Sequence, residues 1–587
     1  MERLAAASAH TAHLEGKARR FSNLRLIAFL GLLAITGFAL WNDYALALLG
    51  LGAALAVLVG IIVAHERLLR RVTESRRVET FCKDCLDRTA NRWRGRGVSG
   101  EQFRDVQHPY ADDLDLFGAG SVFELLCSAR TVGGEATLAG WLREPASPME
   151  AIARQQAVQE LAPNHALRED LALHGPDIRA RVHPASLVLW GNAPVQHFAG
   201  WERAAARILP GITLTTAILV FGLGFPASLF ALALLVQVLF ALRLRERVQT
   251  TLRHVDFAAR DLAVLAVVLQ RFEAEQFSSP KLRRLREQLE NGGEPPSVRI
   301  RRLSLISELL DSRLNQAFAV LAPLLLWSTN CAIATENWKA ANGRHLQRWL
   351  DAVGELEALG SLARYAFEHP EDVWPQFHEG APRLDAIGIA HPLLDATVAI
   401  RNTVTLSAER PLLIVSGSNM SGKSTLLRSI GTNVVLALAG APVRATSFTL
   451  SPFHVGASIR VSDNLSEGES RFYAEIRQIR DVLTMAKDNP PALFLLDEIF
   501  SGTNSHDRRI GAQAILRSLV ERGALGLVTT HDLALTRMEE ELGEKARNVH
   551  FEDQIVDGKM RFDYRMREGV VTRSNALELM RSIGIEL

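Results

Sequence analysis

The residues Gly417, Ser418, Asn419, Met420, Ser421, Gly422, Lys423, Ser424 and Thr425 satisfy the spacing G-x-x-x-x-G-K-[ST]. A loop of this kind can wrap phosphates. Its glycines let successive backbone N–H groups turn inward, and the start of a following helix adds a favourable dipole. Lys423 is expected to reach the β- and γ-phosphates of a nucleotide, and the Ser424 hydroxyl to ligate Mg2+. Farther along, Ala492 to Leu496 is apolar and ends in Asp497-Glu498. Asp497 suits the Mg2+ shell, and Glu498 suits positioning and polarising an attacking water. Taken alone, such a pair is also what a solvated strand end looks like. A third apolar run ends in Thr529-Thr530-His531-Asp532, where His531 suits sensing a γ-phosphate or orienting the water, beside the plainer reading of a structural histidine.

These side chains need elements to hold them. Pro411 to Val415 reads as a short buried strand running into the glycine loop, and a helix is predicted over 425–439. Strands are likewise predicted before Asp497 and before His531. The polar loop Leu465 to Ser470, containing Ser466, Gly468 and Ser470, opens a predicted helix over 471–485. It looks like the signature loop of ATP-binding-cassette ATPases, in which a helix start and a serine of one subunit close over the γ-phosphate held by the other. An ordinary helix cap is the alternative.

In order and wording these elements resemble the MutS family of DNA mismatch-repair proteins. The resemblance is carried by GSNMSGKST (417–425), VGASIRVSD (455–463), GESRFYAE (468–475), DEIFSGTNSHD (497–507) and TTHD (529–532). It implies that Ser470 is offered in trans, that Asn419 contacts nucleotide, and that His550, in Asn548-Val549-His550, lies near the adenine. It also implies composite ATP sites and hence a homodimer. Fainter likeness extends upstream through Leu114 to Pro145 (LDLFG, SVFELL, RTVGGEATLAGWLREP), Ile152 to Leu161, and Ala390 to Leu394. Nothing before Leu114 is patterned like a mismatch-reading domain. The fold class expected is an α/β P-loop ATPase domain, ABC-type and MutS-like, with an all-α core domain and two transmembrane helical hairpins.

Those hairpins come from the apolar runs. Leu26 to Trp41 and Ala45 to Ala64 flank a polar Trp-Asn-Asp-Tyr link, with Lys17, Arg19, Arg20 and Arg25 before and Arg67, Arg70 and Arg71 after. Basic outer flanks place both ends in the cytoplasm. A cleaved signal peptide is the competing reading, and Arg19-Arg20-Phe21 even hints at a twin-arginine signal. Ile208 to Leu242 carries no charged residue, and Gly222, Gly224 and Pro226 mark a turn at its middle; a buried helical pair is the alternative. A shorter run, Ala317 to Trp327, reads as a core helix. The organisation expected is therefore 1–71 with spans near 26–41 and 45–64, a helical segment 72–201, a second hairpin 208–242, a helical segment 243–384 and the ATPase domain 385–587. This places a multi-pass protein in the cytoplasmic membrane with its ATPase domain in the cytoplasm.

The bulk properties narrow the function. A net charge of +1 over 587 residues gives no general electrostatic case for nucleic acid. Local candidates for DNA phosphate contact are Lys281 to Arg286 (KLRRLR) and Arg299 to Arg302, which read equally well as solvated helix faces. Four cysteines make no disulfide framework, and Cys82 and Cys85 lack a second ligand pair for zinc. The sequence thus points to a membrane-anchored ATPase using ATP and Mg2+, acting as a homodimer on DNA or a DNA-linked partner, with protein partners left open. The alternatives are half of an ABC-like transporter or a nucleotide-switched membrane scaffold that never touches DNA.

Overall fold

The computed structural model describes residues 2–41, 44–164, 166–170, 184–253, 255–290, 293–314, 316–319, 321–418, 420–460, 471–500, 505–556 and 559–571. The chain divides into two compact units, one of residues 1–93 with 165–175, the other of 94–164 with 176–587.

The first unit is a long helical hairpin, Glu2–Trp41 paired with Tyr44–Thr89. The polar link at Asn42 and Asp43 lies outside the described residues. The second helix runs through position 71 to Thr89 without a break, so that expected boundary marks a change of composition and not of structure. The cohesive contacts lie toward the helix ends far from the turn. Leu14, Ala18 and Val72 form a small core, the Thr11 and Ser75 hydroxyls pair at 2.8 Å, and Arg76 pairs with Glu15 at 2.6 Å. Between Leu24 and Ile35, and again between Leu55 and Val63, large apolar side chains face outward.

In the second unit a helical region precedes two sheets. Helix Gly200–Leu223 ends at Gly224, whose φ of 74° only glycine adopts without strain, and Pro226 caps helix Ala227–Leu252. The turn falls where the sequence places it. Three helices are long and apolar enough to cross a membrane by length and composition among the described residues: Glu2–Gly37, Gly200–Leu223 and Ala227–Glu273. The expected core helix over Ala317 to Trp327 does not form as one piece. Short turns at Gln316–Ala319 and Leu321–Leu324 give way to helix Trp327–Asn342, with Leu326 at φ 47°. Pro323 withholds a donor there. The buried Gln237 of the hairpin takes over the carbonyls of Pro323 and Leu324, at 3.2 and 2.9 Å.

Helices Val255–Glu273, Pro296–Asp311 and Trp327–Asn342 pack in series, and Leu346–Glu368 packs on Val132–Arg143 and Pro148–Leu161. The buried Glu357 joins two of these, its carboxylate accepting the N–H groups of Arg130 and Thr131 and the Thr131 hydroxyl. Burial raises its pKa.

The strands are β1 (Gln376–Phe377), β2 (Arg383–Ile389), β3 (Asn402–Ser407), β4 (Leu412–Ser416), β5 (Ser447–Leu450), β6 (His454–Ser458), β7 (Ala492–Asp497), β8 (Leu525–Thr530), β9 (Ala546–Val556) and β10 (Lys559–Glu568). A small sheet has the order β1-β5-β2-β3, and the main sheet β10-β9-β4-β8-β7-β6, parallel except for β10. The boundary expected at 385 falls inside β2, and the strand pairing begins earlier, at β1. Helix Lys423–Ala439 is buried along nearly its whole length against β7 and β8, as befits its apolar sequence. Each fully buried Leu, Val or Phe of this core contributes about 1.5–3 kcal/mol.

Candidate nucleotide site

In register, Ser416 of β4 lies beside Thr530 of β8, and Thr529 lies beside Asp497 of β7. Three adjacent strands therefore end together, and their exits carry the glycine loop, the Asp497-Glu498 pair and His531. Open parallel sheets bind ligands at this edge, beyond the carboxyl ends of their strands.

The loop between β4 and helix Lys423–Ala439 is built for close approach. Gly417 has φ 149°, and a Cβ there would stand 3.0 Å from the Phe551 carbonyl oxygen and the Ser421 hydroxyl. Gly422, at φ 107°, caps the helix. Lys423 is buried, and its ammonium donates to the carbonyls of Gly417 at 2.7 Å and Ser418 at 3.0 Å. The hydroxyls of Ser418 and Ser421 are buried with no hydrogen-bond partner among the described residues. Such orphaned donors beside a lysine suit a bound phosphate group. Ser424 is half-buried at the helix start, while Met420 and Thr425 face solvent. Asn419 lies outside the described residues.

Lys423 Nζ also lies 3.5 Å from Glu498 Oε1, and Glu498 Oε2 lies 3.5 Å from His531 Nδ1. The sequence-predicted catalytic trio is thus brought into one line. Arg508 Nη1 approaches His531 Nε2 at 3.4 Å. Because a guanidinium can only donate, Nε2 is the acceptor, and the ring proton is assigned to Nδ1, facing the carboxylate. Glu498 and Phe500 hold the left-handed region at φ 48° and 58°, a strain of about 1–3 kcal/mol each. Both are held there by hydrogen bonds. The Glu498 N–H reaches the carbonyl and hydroxyl oxygens of Thr529 at 3.2 and 3.1 Å, and the Phe500 N–H reaches the buried Glu475 at 2.5 Å.

Thr529 carries more of the site than the sequence suggests. Its hydroxyl accepts the backbone N–H of Glu498 and donates to Asp497 Oδ1, so one side chain holds the Asp497 carboxylate and the backbone of Glu498. Glu475 and Arg508 belong with it as supports that sequence reading left without a role. All three depend on pairings across the fold, although Thr529 and Glu475 stood inside stretches that carried the resemblance. His550 sits on β9 opposite Ser416, next to the mouth of the loop, with its Nδ1 3.0 Å from the Gly569 carbonyl. Ser466, Gly468 and Ser470 lie outside the described residues.

A second set of contacts ties the site to the helical region. Asp113, buried, accepts the N–H groups of Ile459 and Arg460 at 2.7 and 2.5 Å and the Gln478 side chain at 2.6 Å. Burial pushes its pKa from an ordinary 3.8 up to about 6. Along the sequence, the segment it anchors precedes the stretch 465–470 expected to act as a signature loop.

Comparison with known proteins agrees with this arrangement. Residues 413–586 match MutS domain V. The chain is 33% identical over 239 residues to the DNA mismatch repair protein MutS of Geobacillus sp. (strain WCH70), covering 40% of this chain and 27% of the relative. It is 34% identical over 247 residues to that of Shouchella clausii (strain KSM-K16), covering 41% and 28%. It is 31% identical over 250 residues to DNA mismatch repair protein MutS 2 of Halobacterium salinarum, covering 42% and 28%. The chain thus spans little more than a quarter of the length of these curated relatives. The matched stretch, which contains the glycine loop, both carboxylates and His531, is thus similar to domain V of MutS proteins.

Proposed function

We propose that this chain is a membrane-anchored ATPase of the MutS type, which hydrolyses ATP at composite sites of a homodimer and couples the cycle to DNA or a DNA-linked partner. The observation that carries the reading is the line Lys423–Glu498–His531 across the ends of β4, β7 and β8. Mg2+, when bound, would be held by Ser424 and Asp497 and supplies neutralisation of phosphate charge. Lys423 and the loop N–H groups hold the β- and γ-phosphates, and His550 borders the base. Glu498 takes a proton from the water that attacks the γ-phosphorus as the bond to the leaving ADP breaks, while His531, through Nδ1–H, holds the second carboxylate oxygen of Glu498, Oε2, in place. Ser470, with Ser466 and Gly468, comes from the second copy. Similarity to DNA mismatch repair proteins supports the DNA arm.

The basic runs temper that arm. Lys281 is spent on Glu150 and Glu355 at 2.6 and 2.9 Å, Arg286 on Glu290 at 2.8 Å and Arg302 on Glu294 at 2.7 Å. With few of these cations left for phosphate, DNA binding is therefore expected to be weak and its salt dependence shallow. The outward apolar faces of both hairpins support the membrane anchor.

The test is steady-state ATP hydrolysis by detergent-purified protein, alone and with homoduplex or mismatched DNA. Glu498→Gln should lower turnover by roughly 100- to 10,000-fold while leaving ATP binding in place. Unchanged turnover in that variant would refute the assignment. A rate that DNA leaves untouched would move the search to protein partners.

A further inference from the structure

Where helix Ala227–Leu252 meets the broken segment before Trp327, a cavity of about 590 Å3 opens beside the second apolar hairpin. Its size falls within the roughly 300–1,000 Å3 of small-molecule sites. Leu234, Val238, Ala241 and Leu242 form one wall, and Ala322 and Leu326 the other. The one amide among these walls is already spent. Gln237 is bonded to Thr213 at 2.7 Å and to two backbone carbonyls, so the interior is apolar in effect. Two guanidinium groups, Arg245 and Arg313, line the same cavity.

These arginines differ from their neighbours. Arg247 pairs with Glu202 at 2.5 Å, and Arg243 stacks over the Trp201 ring at 5.6 Å. Arg245 makes no ion pair among the described residues, and Arg313 has only a long 3.5 Å contact with the Ser328 hydroxyl. Two cations lining an apolar cavity, one of them just past the uncharged stretch of helix Ala227–Leu252 that ends at Leu242, complement an amphiphile with an anionic head. Guanidinium forks match phosphate oxygens, and this end of a span is the level of lipid headgroups. The outer face of the same helix, at Leu235, Leu239 and Leu242, is 54–58% exposed. An acyl chain could therefore enter sideways from a bilayer, which a free phosphate would have no need to do.

We propose that this cavity binds one anionic phospholipid of the surrounding bilayer, its acyl chain among Leu234, Val238 and Ala241 and its phosphate between Arg245 and Arg313. The proposal rests on the membrane reading above. It makes the hairpin a sensor of lipid charge as well as an anchor, because the opposite wall belongs to the segment leading into helix Trp327–Asn342 of the helical region.

The full chain, purified in mild detergent, is offered phosphatidylglycerol or phosphatidylcholine of identical chains, and retained lipid is read by native mass spectrometry. Flotation with vesicles of each lipid runs in parallel. The wild type should retain phosphatidylglycerol at least ten-fold better than phosphatidylcholine. The double variant Arg245→Gln, Arg313→Gln should lose that preference while still floating. Ala241→Trp, which fills the cavity and leaves both arginines, should lose it too. Equal retention of the two lipids, or undiminished preference in the double variant, would overturn the lipid site with the anchor intact. Displacement of the lipid by millimolar inorganic phosphate alone would reassign the cavity to a soluble anion. A wild type that floats with neither vesicle would remove the membrane reading and the proposal together.

Discussion

Replacing Asp113 with asparagine should make the protein more stable at neutral pH. The side chain is buried and bonded to two N–H groups and one amide, yet burial still raises its pKa from 3.8 to about 6. A shift of roughly two units corresponds to about 3 kcal/mol. Since the folded pKa is the higher one, the folded state holds more protons than the unfolded state between about pH 4 and pH 6. Stability therefore falls as pH rises through that window, and the whole penalty is in force above it. Asparagine keeps an oxygen for the N–H groups of Ile459 and Arg460, and Gln478 can turn its own carbonyl toward the new amide. Alanine keeps neither, and strands two backbone donors at about 1–3 kcal/mol each. Thermal unfolding of the full chain tests this, at about 2–4 °C per kcal/mol for a domain of this size. Asp113→Asn should melt above the wild type at neutral pH and converge with it near pH 4, while Asp113→Ala melts below the wild type near pH 4. If Asp113→Asn melts at or below the wild type at neutral pH, and the slope between pH 4 and 6 survives, the hydrogen bonds outweigh the burial and the reasoning fails.

Thr529→Val keeps the shape of the side chain but removes the hydroxyl that bonds the Asp497 carboxylate and the strained backbone N–H of Glu498, so kcat should fall roughly 10- to 100-fold with KM for ATP little changed. A full-rate variant in steady-state assays would show that Asp497 and the Glu498 backbone hold their places unaided. Gly526→Ala should prevent folding, because its Cβ would stand 2.2 Å from the Phe494 carbonyl oxygen in the neighbouring strand. A soluble variant with wild-type melting temperature would refute that packing.

The strand–glycine loop–helix unit was legible because its logic is local: an apolar strand, two glycines, a lysine and a helix follow one another along the chain. The hairpin turn at Gly224 was legible for the same reason. What escaped depends on partners far away in sequence. β1 pairs with β5 across some seventy residues, so the start of the ATPase fold could not be placed from composition. The run Ala317 to Trp327 has the composition of a helix, but Gln237 on another helix takes its carbonyls and Pro323 withholds a donor. Asp113 sits in an acidic stretch that reads as surface, and its partners lie beyond position 458. Lys281 to Arg286 reads as a basic face until Glu150 and Glu355 are seen against it.

The stretch around Asp113 also explains why events at the phosphate loop need not stay there. Arg428, on the helix that follows the loop, donates to the Asp113 carbonyl at 3.1 Å and pairs with Asp115 at 3.6 Å. Asp115 is shared with Arg460 at 2.5 Å, at the exit of β6. Leu114, between these acids, fills the space beside Gly431, where even a Cβ would stand 2.6 Å from it. One short segment therefore grips both helix Lys423–Ala439, which follows the glycine loop, and the exit of β6. Its Tyr110 hydroxyl bonds the Arg143 carbonyl at 2.6 Å, at the end of the helix that packs on Leu346–Glu368. A close-packed contact of this kind does not stretch gradually; it holds or it shifts as a block. Displacing the phosphate-loop helix against β6 would force Asp115 to give up one arginine or carry the whole segment along. In the second case Tyr110 passes the movement into the helical region through bonds already present.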